Sequence, residues 1–184
     1  MAMDRNAAAG AIEAFLAALG RDPAREPELV GTGARVAAAW ADELLSGYGV
    51  DIDALLAENV LPGTTEIVAV RDIPVSTTCP HHLVLSSGFA TVAFAPAERL
   101  VGVGTLARVV DAFARRLALQ EQIGEQVVAV LRKHLSPRWV GCRMVLSHGC
   151  MTARGERAHG ARVETVALSG GDPAVTYPIL GVGR

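Results

Sequence analysis

The amino-acid sequence predicts an α+β protein in which a four-stranded antiparallel sheet carries helices on one face. Three observations predict this class: the first sixty residues follow a helical pattern, two pairs of β-rich segments come later, and a long helical stretch separates those pairs. Because segments joined as hairpins pair antiparallel, the order ααββααββ gives one sheet covered by helices. A chain of 184 residues has room for one such domain with a small helical appendage.

The N-terminal part of the chain predicts two helices. Apolar residues recur three and four positions apart up to a Gly-Arg-Asp-Pro break at 20–23, so the first helix is expected to end near Leu19. A second helix is predicted over 32–46, with apolar residues on one stripe and Gly47 as its stop. Residues 47–64 are expected to form a connecting loop.

From Thr65 the pattern becomes β-rich. Segments 66–76 and 88–95 are predicted as strands of a hairpin, joined by a turn at 86–88 because its Ser-Ser-Gly composition is typical of turns. A long stretch with two successive apolar stripes follows, and it predicts two helices with a bend near Ala118.

The C-terminal part predicts a second strand pair, 139–147 and 161–169, followed by a tail rich in Gly and Pro. The predicted organisation is a helical segment over 1–60, an α+β domain over 61–171 and a C-terminal tail over 172–184. A sheet of four strands leaves two edges that need covering, so a homo-oligomer formed through the sheet is expected.

Composition and charge restrict the partners of this chain. Hydrophobic residues make up 51% and charged residues 20%, which is the balance of a folded soluble protein. Seventeen basic and nineteen acidic residues give a net charge of -2, so neither nucleic acid nor a membrane surface is an expected partner. No apolar run approaches the roughly 20 residues that span a bilayer, and the first residues lack a signal-peptide core, so the expected compartment is the cytoplasm.

Cysteine and histidine residues cluster at the ends of two predicted strands. Cys79-Pro80-His81-His82 follows the first strand, and Ser147-His148-Gly149-Cys150 closes the third. A thiolate and an imidazole three positions apart can reach one ion, and a third ligand 68 residues after His82 leaves an open position for water, as in catalytic zinc sites. Sulfur and nitrogen ligands favour zinc over magnesium or calcium, with ferrous iron as the alternative metal.

The alternative for these residues is a structural one, with buried thiols and histidines that are hydrogen-bonded at the surface. Because a C-x-x-H motif and a distant H-x-C motif lie at two strand ends, a metal site is favoured over this structural alternative. Cys142 lies inside a predicted strand, away from the cluster, and is expected to be a core thiol. Three cysteines are an odd number and too few for a disulfide scaffold.

Segments 79–82, 119–121 and 148–155 resemble the GTP cyclohydrolase I family. The shared motifs are C-x-H-H, L-Q-E and H-x-C-x-x-x-R-G, and the similarity runs over about 22–171. The resemblance implies a tunnelling fold, a β2α2β2 core behind N-terminal helices, with 61–171 as the catalytic domain. It also implies a decamer whose active sites lie between subunits.

The resemblance implies an activity and the residues that perform it. Zn2+ would be held by Cys79, His82 and Cys150. The guanine imidazole ring of GTP would be opened by hydrolysis at C8, formate would leave, and a dihydropterin ring would close to give 7,8-dihydroneopterin triphosphate. His148 would protonate the imidazole nitrogen and His81 would assist on the other side of C8, since imidazole titrates near neutrality.

Substrate recognition is implied at two further sets of positions. Glu121, with Gln120 beside it, matches the guanine reader, whose carboxylate accepts hydrogen bonds from the ring N–H and the exocyclic amine. Arg35, Arg108 and Arg154 match positions that hold the triphosphate, and Arg suits phosphate because its planar fork makes bidentate contacts.

The substrate-binding segment before the third helix departs from the family pattern. Where the family has Ser and Lys that contact ribose and phosphates, this chain has Gly104 and Thr105, and its single lysine is Lys133. Three hypotheses follow. The favoured one is GTP as the substrate; the second is a zinc cyclohydrolase of the same family acting on a purine nucleoside or base with few or no phosphates. The third is a non-catalytic tunnelling-fold zinc protein.

Overall fold

The structure is a computed structural model that describes residues 3–63 and 66–183. Its helices are α1 (Arg5–Ala18), α2 (Thr32–Ala39), α3 (Ile52–Ala57), α4 (Val103–Ala114), α5 (Gln120–Leu135), α6 (Gly149–Thr152) and α7 (Pro173–Leu180). Its strands are β1 (Val60–Pro62), β2 (Val68–Thr78), β3 (Leu85–Ala95), β4 (Arg99–Val101), β5 (Trp139–His148) and β6 (Val163–Ser169). None of the described helices is long and apolar enough to span a bilayer. Thr65, the predicted start of the β-rich part, and Arg184, the end of the predicted tail, lie outside the described residues.

The chain divides into two compact units, residues 1–46 and 47–184, and the first contains the two predicted helices. α1 ends at Ala18, beside the predicted end at Leu19. α2 continues as a π-helical turn over Trp40–Leu44, so the helical stretch ends close to the predicted position. A Cβ at Gly33 would lie 2.5 Å from the carbonyl oxygen of Ala9, so this glycine allows α1 and α2 to approach closely.

The second unit is built on a four-stranded antiparallel sheet with the strand order β2-β3-β5-β6. The hairpins β2–β3 and β5–β6 are the two predicted strand pairs, and β3 pairs with β5 in the centre. α4 packs on β2 and α5 packs on β5 and β6, which confirms the α+β class with these helices on one face. The core between them includes Val92, Phe94, Leu106, Ile123, Val127, Leu131, Met144 and Leu146.

The predicted turn at 86–88 is wrong, because these residues lie inside β3. They pair with 75–77 of β2 on one side and with 146–148 of β5 on the other. A Cβ at Gly88 would lie 2.1 Å from the carbonyl oxygen of Val145, so the glycine permits close strand contact rather than a turn. The chain reverses instead at residues 79–84, directly after β2.

The segments predicted as a loop and as a tail contain further elements. Residues 47–64 include α3 and β1, so the loop prediction is wrong there, and β1 pairs with β4 in a separate sheet. Asp51 caps α3, and Asp172 with Pro173 starts α7, so both segments contain helix-start signals. Leu180 of α7 packs on the opposite face of the main sheet.

Candidate active site

The turn between β2 and β3 holds Cys79 and His82 close together. The backbone N–H of Cys79 donates to the carbonyl oxygen of Val84 at 3.1 Å, and the N–H of Leu83 donates to the carbonyl oxygen of Cys79 at 2.9 Å. Leu83 has a φ of 53°, a left-handed conformation that is uncommon for a bulky residue and directs the chain into β3. The Sγ of Cys79 and the Nδ1 of His82 are 3.9 Å apart.

Strand β5 brings His148 and Cys150 to the same end of the sheet. Ser86 of β3 lies opposite Thr77 on one side and opposite His148 on the other. Because paired residues share a face, these three side chains form a row under the helices. A Cβ at Gly149 would lie 2.5 Å from a carbonyl oxygen at the start of β3, so this glycine lets the chain carry Cys150 past that strand.

A pocket of about 260 Å³ opens where these strand ends meet the N-terminus of α5. Its lining residues are Thr77, Cys79, His81, His82, Ser86, Ala118, Leu119, Gln120, Glu121, His148 and Cys150. The pocket brings together the three predicted metal ligands, both predicted catalytic histidines and the predicted guanine reader. Its histidines and thiols are all at least partly accessible, so a ligand in the pocket can reach them.

The two residues predicted to read guanine have different surroundings. Gln120 is 2% exposed; its Nε2 lies within hydrogen-bond distance, 3.0 to 3.1 Å, of three acceptors on β5 and β6, and its Oε1 lies 2.7 Å from Nε2 of His148. The polar atoms of this side chain are therefore occupied by the protein itself. Glu121 is exposed at the pocket, so its carboxylate is the group of the two that remains accessible to a substrate.

Thr77 and Ser86 are lining residues that the sequence reasoning missed. Thr77 is 3% exposed, and its Oγ1 has no hydrogen-bond partner among the described residues. A buried hydroxyl without a partner is costly, so the pocket offers this group to a bound molecule or water. The available signal was strand alternation, since Thr77 precedes Cys79 by two positions and so points to one side with it.

The donors in this pocket suit a zinc ion. In the part of the chain that the structure describes, three or more His, Cys, Asp or Glu side chains do not converge as a closed metal-binding group. The fit rests on the donor chemistry and on the 3.9 Å between Sγ of Cys79 and Nδ1 of His82. That distance is close to the about 3.6 Å expected between sulfur and nitrogen ligands of one tetrahedral zinc ion. Cys150 lines the same pocket and supplies the third donor.

Cys142 differs from the two thiols of the pocket. It is buried in the core, and burial raises the pKa of its thiol to about 12, because the apolar surroundings disfavour the thiolate. A thiol that stays protonated at neutral pH is not a metal ligand. The prediction that Cys142 is a core thiol is confirmed.

The residues predicted to hold phosphates lie outside the described lining of the pocket. Gly104 and Arg108 are exposed on α4, and Thr105 on the same helix is buried. Arg154 is exposed after α6. Arg108 and Arg154 therefore remain accessible to an anion, and the positions occupied by Gly104 and Thr105 carry no charge.

Arg35 belongs to the first unit, where its guanidinium holds the start of α2. It donates to the carbonyl oxygen of Val30 at 2.8 Å and to Oγ1 of Thr32 at 2.9 Å. A guanidinium has five N–H donors, so these contacts leave donors for another partner.

Comparison with known proteins identifies relatives over nearly the whole chain. A family model described as GTP cyclohydrolase I matches residues 8–173. GTP cyclohydrolase 1 of Leifsonia xyli subsp. xyli is 37% identical over 183 residues, which cover 97% of this chain and 95% of the relative. GTP cyclohydrolase 1 of Allorhizobium ampelinum is 39% identical over 168 residues, or 90% of this chain and 83% of the relative. Among solved structures, archaeosine synthase QueF-Like in the apo form aligns with a TM-score of 0.48 and 20% identity, over 60% of this chain and 100% of that one.

The matched region contains both strand-end motifs and segment 119–121, all of which meet at the pocket. The main sheet and its two covering helices follow one another as ββααββ, which is consistent with the tunnelling fold that the resemblance implies. The family match covers more than half of the chain, and the relatives match it at 37% to 39% identity. This chain belongs to the GTP cyclohydrolase I family.

Proposed function

We propose that this protein hydrolyses GTP at C8 of guanine, releases formate and forms 7,8-dihydroneopterin triphosphate. The observation that carries the proposal is the pocket that Cys79, His82, Glu121, His148 and Cys150 line together, from three separate parts of the chain. Family membership supports the same reaction, since the relatives bear the name GTP cyclohydrolase 1. Hydrolysis of a cyclic amidine needs a nucleophile, a proton donor and a group that holds the base, and the pocket has candidates for each.

Zinc is the cofactor that fits the donor set, with Cys79, His82 and Cys150 as its ligands. When bound, zinc supplies a nucleophile at neutral pH because it lowers the pKa of water toward about 7. A reducing compartment keeps both thiols available as ligands, so we place the protein in the cytoplasm.

The remaining pocket residues bind the base and move protons. The accessible carboxylate of Glu121 accepts hydrogen bonds from the guanine ring N–H and the exocyclic amine. His148 delivers a proton to the imidazole nitrogen as the ring opens, and His81 exchanges a proton on the other side of C8. The orphaned hydroxyl of Thr77 gives a further polar contact inside the pocket.

The triphosphate is held by Arg108 and Arg154, and Arg35 of the first unit is a separate candidate for phosphate binding. Arg108 and Arg154 are exposed, so their guanidinium groups can meet phosphate oxygens in bidentate contacts. Gly104 and Thr105 give the binding segment less positive charge than a Ser-Lys pair would. If a hydrogen bond to a phosphate is absent for this reason, binding of the triphosphate is weaker by on the order of 1.5–3 kcal/mol. That lack of charge is the observation that keeps a substrate with fewer phosphates as the second candidate.

The catalytic domain is residues 61–171, and the protein acts as a homo-oligomer with sites between subunits, as in a decamer. In the part of the chain that the structure describes, β2 and β6 are the edge strands of the main sheet, and the outer side of β2 is bridged only at Thr78, by Leu117. Large apolar side chains such as Phe89 are exposed on the sheet. Surfaces of this kind are normally covered by association. Light scattering on the eluting protein measures the number of subunits directly.

A substrate panel tests the proposed activity. Zinc-loaded protein is incubated with GTP, guanosine and guanine, while formate release and pterin fluorescence are followed, and metal-free protein serves as the control. Turnover of GTP with at most a trace from guanosine and guanine is the expected result. Turnover of guanosine or guanine without turnover of GTP would favour the second candidate. Failure of the zinc-loaded protein on every purine would favour a non-catalytic zinc protein.

A further inference from the structure

We propose that Gln120 is a positioning residue, which fixes the orientation of the His148 ring and decides that Nε2 is the ring nitrogen carrying hydrogen. Gln120 is the first residue of α5, and its side chain crosses from that helix to the end of β5. The inference rests on the proposed function only for its effect on catalysis, since the hydrogen-bond geometry stands without it.

The orientation of the Gln120 amide follows from its surroundings. Its Nε2 lies 3.1 Å from the carbonyl oxygen of Met144, 3.1 Å from that of Val163 and 3.0 Å from Oγ1 of Thr165. Backbone carbonyl oxygens only accept hydrogen bonds, so the NH2 end of the amide must face them. The reverse orientation would place the amide oxygen against two carbonyl oxygens in a buried site, and neither of these can donate a hydrogen bond to it.

The fixed amide determines the hydrogen on His148. With NH2 turned toward β5 and β6, Oε1 of Gln120 faces Nε2 of His148 at 2.7 Å. Because an amide oxygen only accepts, Nε2 of the neutral imidazole must be the nitrogen that donates. Nδ1 is then the nitrogen with a free lone pair, and it is the atom through which His148 exchanges protons with a molecule in the pocket.

The same contacts separate Gln120 from the residues that touch substrate. Its side chain is 2% exposed, and both ends of the amide already have protein partners. Strands β5 and β6 therefore anchor the amide, and the amide in turn anchors the ring. A merely structural glutamine would stabilise this corner of the fold without affecting the hydrogen on His148.

Solid-state NMR of the full-length, metal-free protein labelled with 15N,13C-histidine tests the assignment. The His148 signals are identified by their absence in His148→Asn, and their 15N shifts show which ring nitrogen carries hydrogen. We expect hydrogen on Nε2 in the unmutated protein and a mixture of both forms in Gln120→Met. The control is Gln126→Met, the same change at an exposed position of the same helix, which should keep the single form.

Kinetics of the zinc-loaded variants give the second measurement. We expect Gln120→Met to lower kcat about 10- to 100-fold while KM stays within about 3-fold, as for residues that orient a catalytic group. Hydrogen on Nδ1 of His148 in the unmutated protein overturns the proposal, even if Gln120→Met does not fold. An unchanged single form in folded Gln120→Met also overturns it. Loss of the single form in Gln120→Met supports it even where no protein turns over GTP, and then the proposed function alone fails.

Discussion

The Sγ atom of Cys79 lies 3.9 Å from the Nδ1 atom of His82, inside the six-residue connection between two strands of the central sheet. Two backbone hydrogen bonds close this connection, so the distance depends on the hairpin rather than on a flexible loop. A thiolate and an imidazole held in this way need only one more donor to bind zinc, and Cys150 lines the same pocket.

We expect the metal-free protein to contain two reactive thiols and one inert thiol. Cys79 and Cys150 are accessible at the pocket, whereas Cys142 is buried with a pKa raised to about 12 by its apolar surroundings. About one equivalent of zinc per chain should protect both reactive thiols from a disulfide reagent. Titration of free thiols before and after zinc addition measures this, with Cys142→Ala as the control that keeps the protection. Zinc protection of only one thiol would contradict the ligand set.

We expect Gly149→Ala to impair zinc binding through the backbone. Its Cβ would lie 2.5 Å from both the carbonyl oxygen of Leu85 and Cγ1 of Val84, so the chain before Cys150 must shift. Overpacking of this kind costs about 1–3 kcal/mol of unfolding free energy. Gly160→Ala is the matched control, because a Cβ at that position meets nothing within 4 Å. Denaturant unfolding and zinc titration compare the two, and equal zinc affinities would refute the packing role.

We expect Thr77→Val and Thr78→Val to affect stability alike and catalysis differently. Both hydroxyls are buried without a hydrogen-bond partner in the described structure, so each substitution should raise the free energy of unfolding by about 1 kcal/mol. Only Thr77 lines the pocket, so only Thr77→Val should raise KM for GTP, by about 3- to 10-fold. Denaturant unfolding and steady-state kinetics measure the two effects. The same KM change in both variants would argue against a ligand contact by Thr77.

We expect Glu121→Gln to reduce kcat/KM for GTP about 10- to 100-fold, because a hydrogen bond to a charged group is worth about 1.5–3 kcal/mol. Glu125→Gln removes a charge one helical turn later and outside the described pocket lining, so it should keep the activity. Steady-state kinetics with equal zinc contents provide the comparison. If both variants lose activity equally, the effect is one of helix charge and not of base recognition.

We expect Cys142 to make the protein less stable in alkali. Its folded pKa of about 12 is above the ordinary thiol value of about 8.5, so its contribution to stability is complete below pH 8. That contribution is lost as the pH rises from about 8.5 toward 12, since the unfolded chain ionises first. Between pH 7 and pH 10 the loss is about 1–2 kcal/mol. Denaturant unfolding of Cys142→Ala should lack this part of the alkaline decline, and parallel declines in both proteins would contradict it.

The sequence was sufficient to predict the chemistry-bearing clusters and the strand pairs, because both depend on local spacing. Cys79 and His82 are close in the chain, and both follow the first β-rich segment. The prediction of a turn at 86–88 was wrong because glycine occurs both in turns and where two strands lie very close together. Gly88 allows a close approach between strands, which depends on a neighbour more than fifty residues away and leaves no mark in the local pattern.

The buried hydrogen bonds of the site could not be predicted from local sequence patterns either. Gln120 contacts acceptors on two strands that follow it by more than twenty residues, and nothing in its own neighbourhood distinguishes it from the adjacent Glu121. α7 was missed for a different reason, since Asp172 and Pro173 start helices as readily as they end strands. In both cases, contacts with distant parts of the chain determine which role the residue takes.

The division of the pocket among three distant chain segments has a consequence for biosynthesis. Ribosomes add about 5–20 residues per second, so the Cys79 turn is made several seconds before Cys150. During that interval the nascent β2–β3 hairpin has only one thiol and one imidazole of the set, and a metal captured there is held loosely. We expect zinc to be acquired only after β5 has entered the sheet, so that metal content in newly made protein reports finished chains.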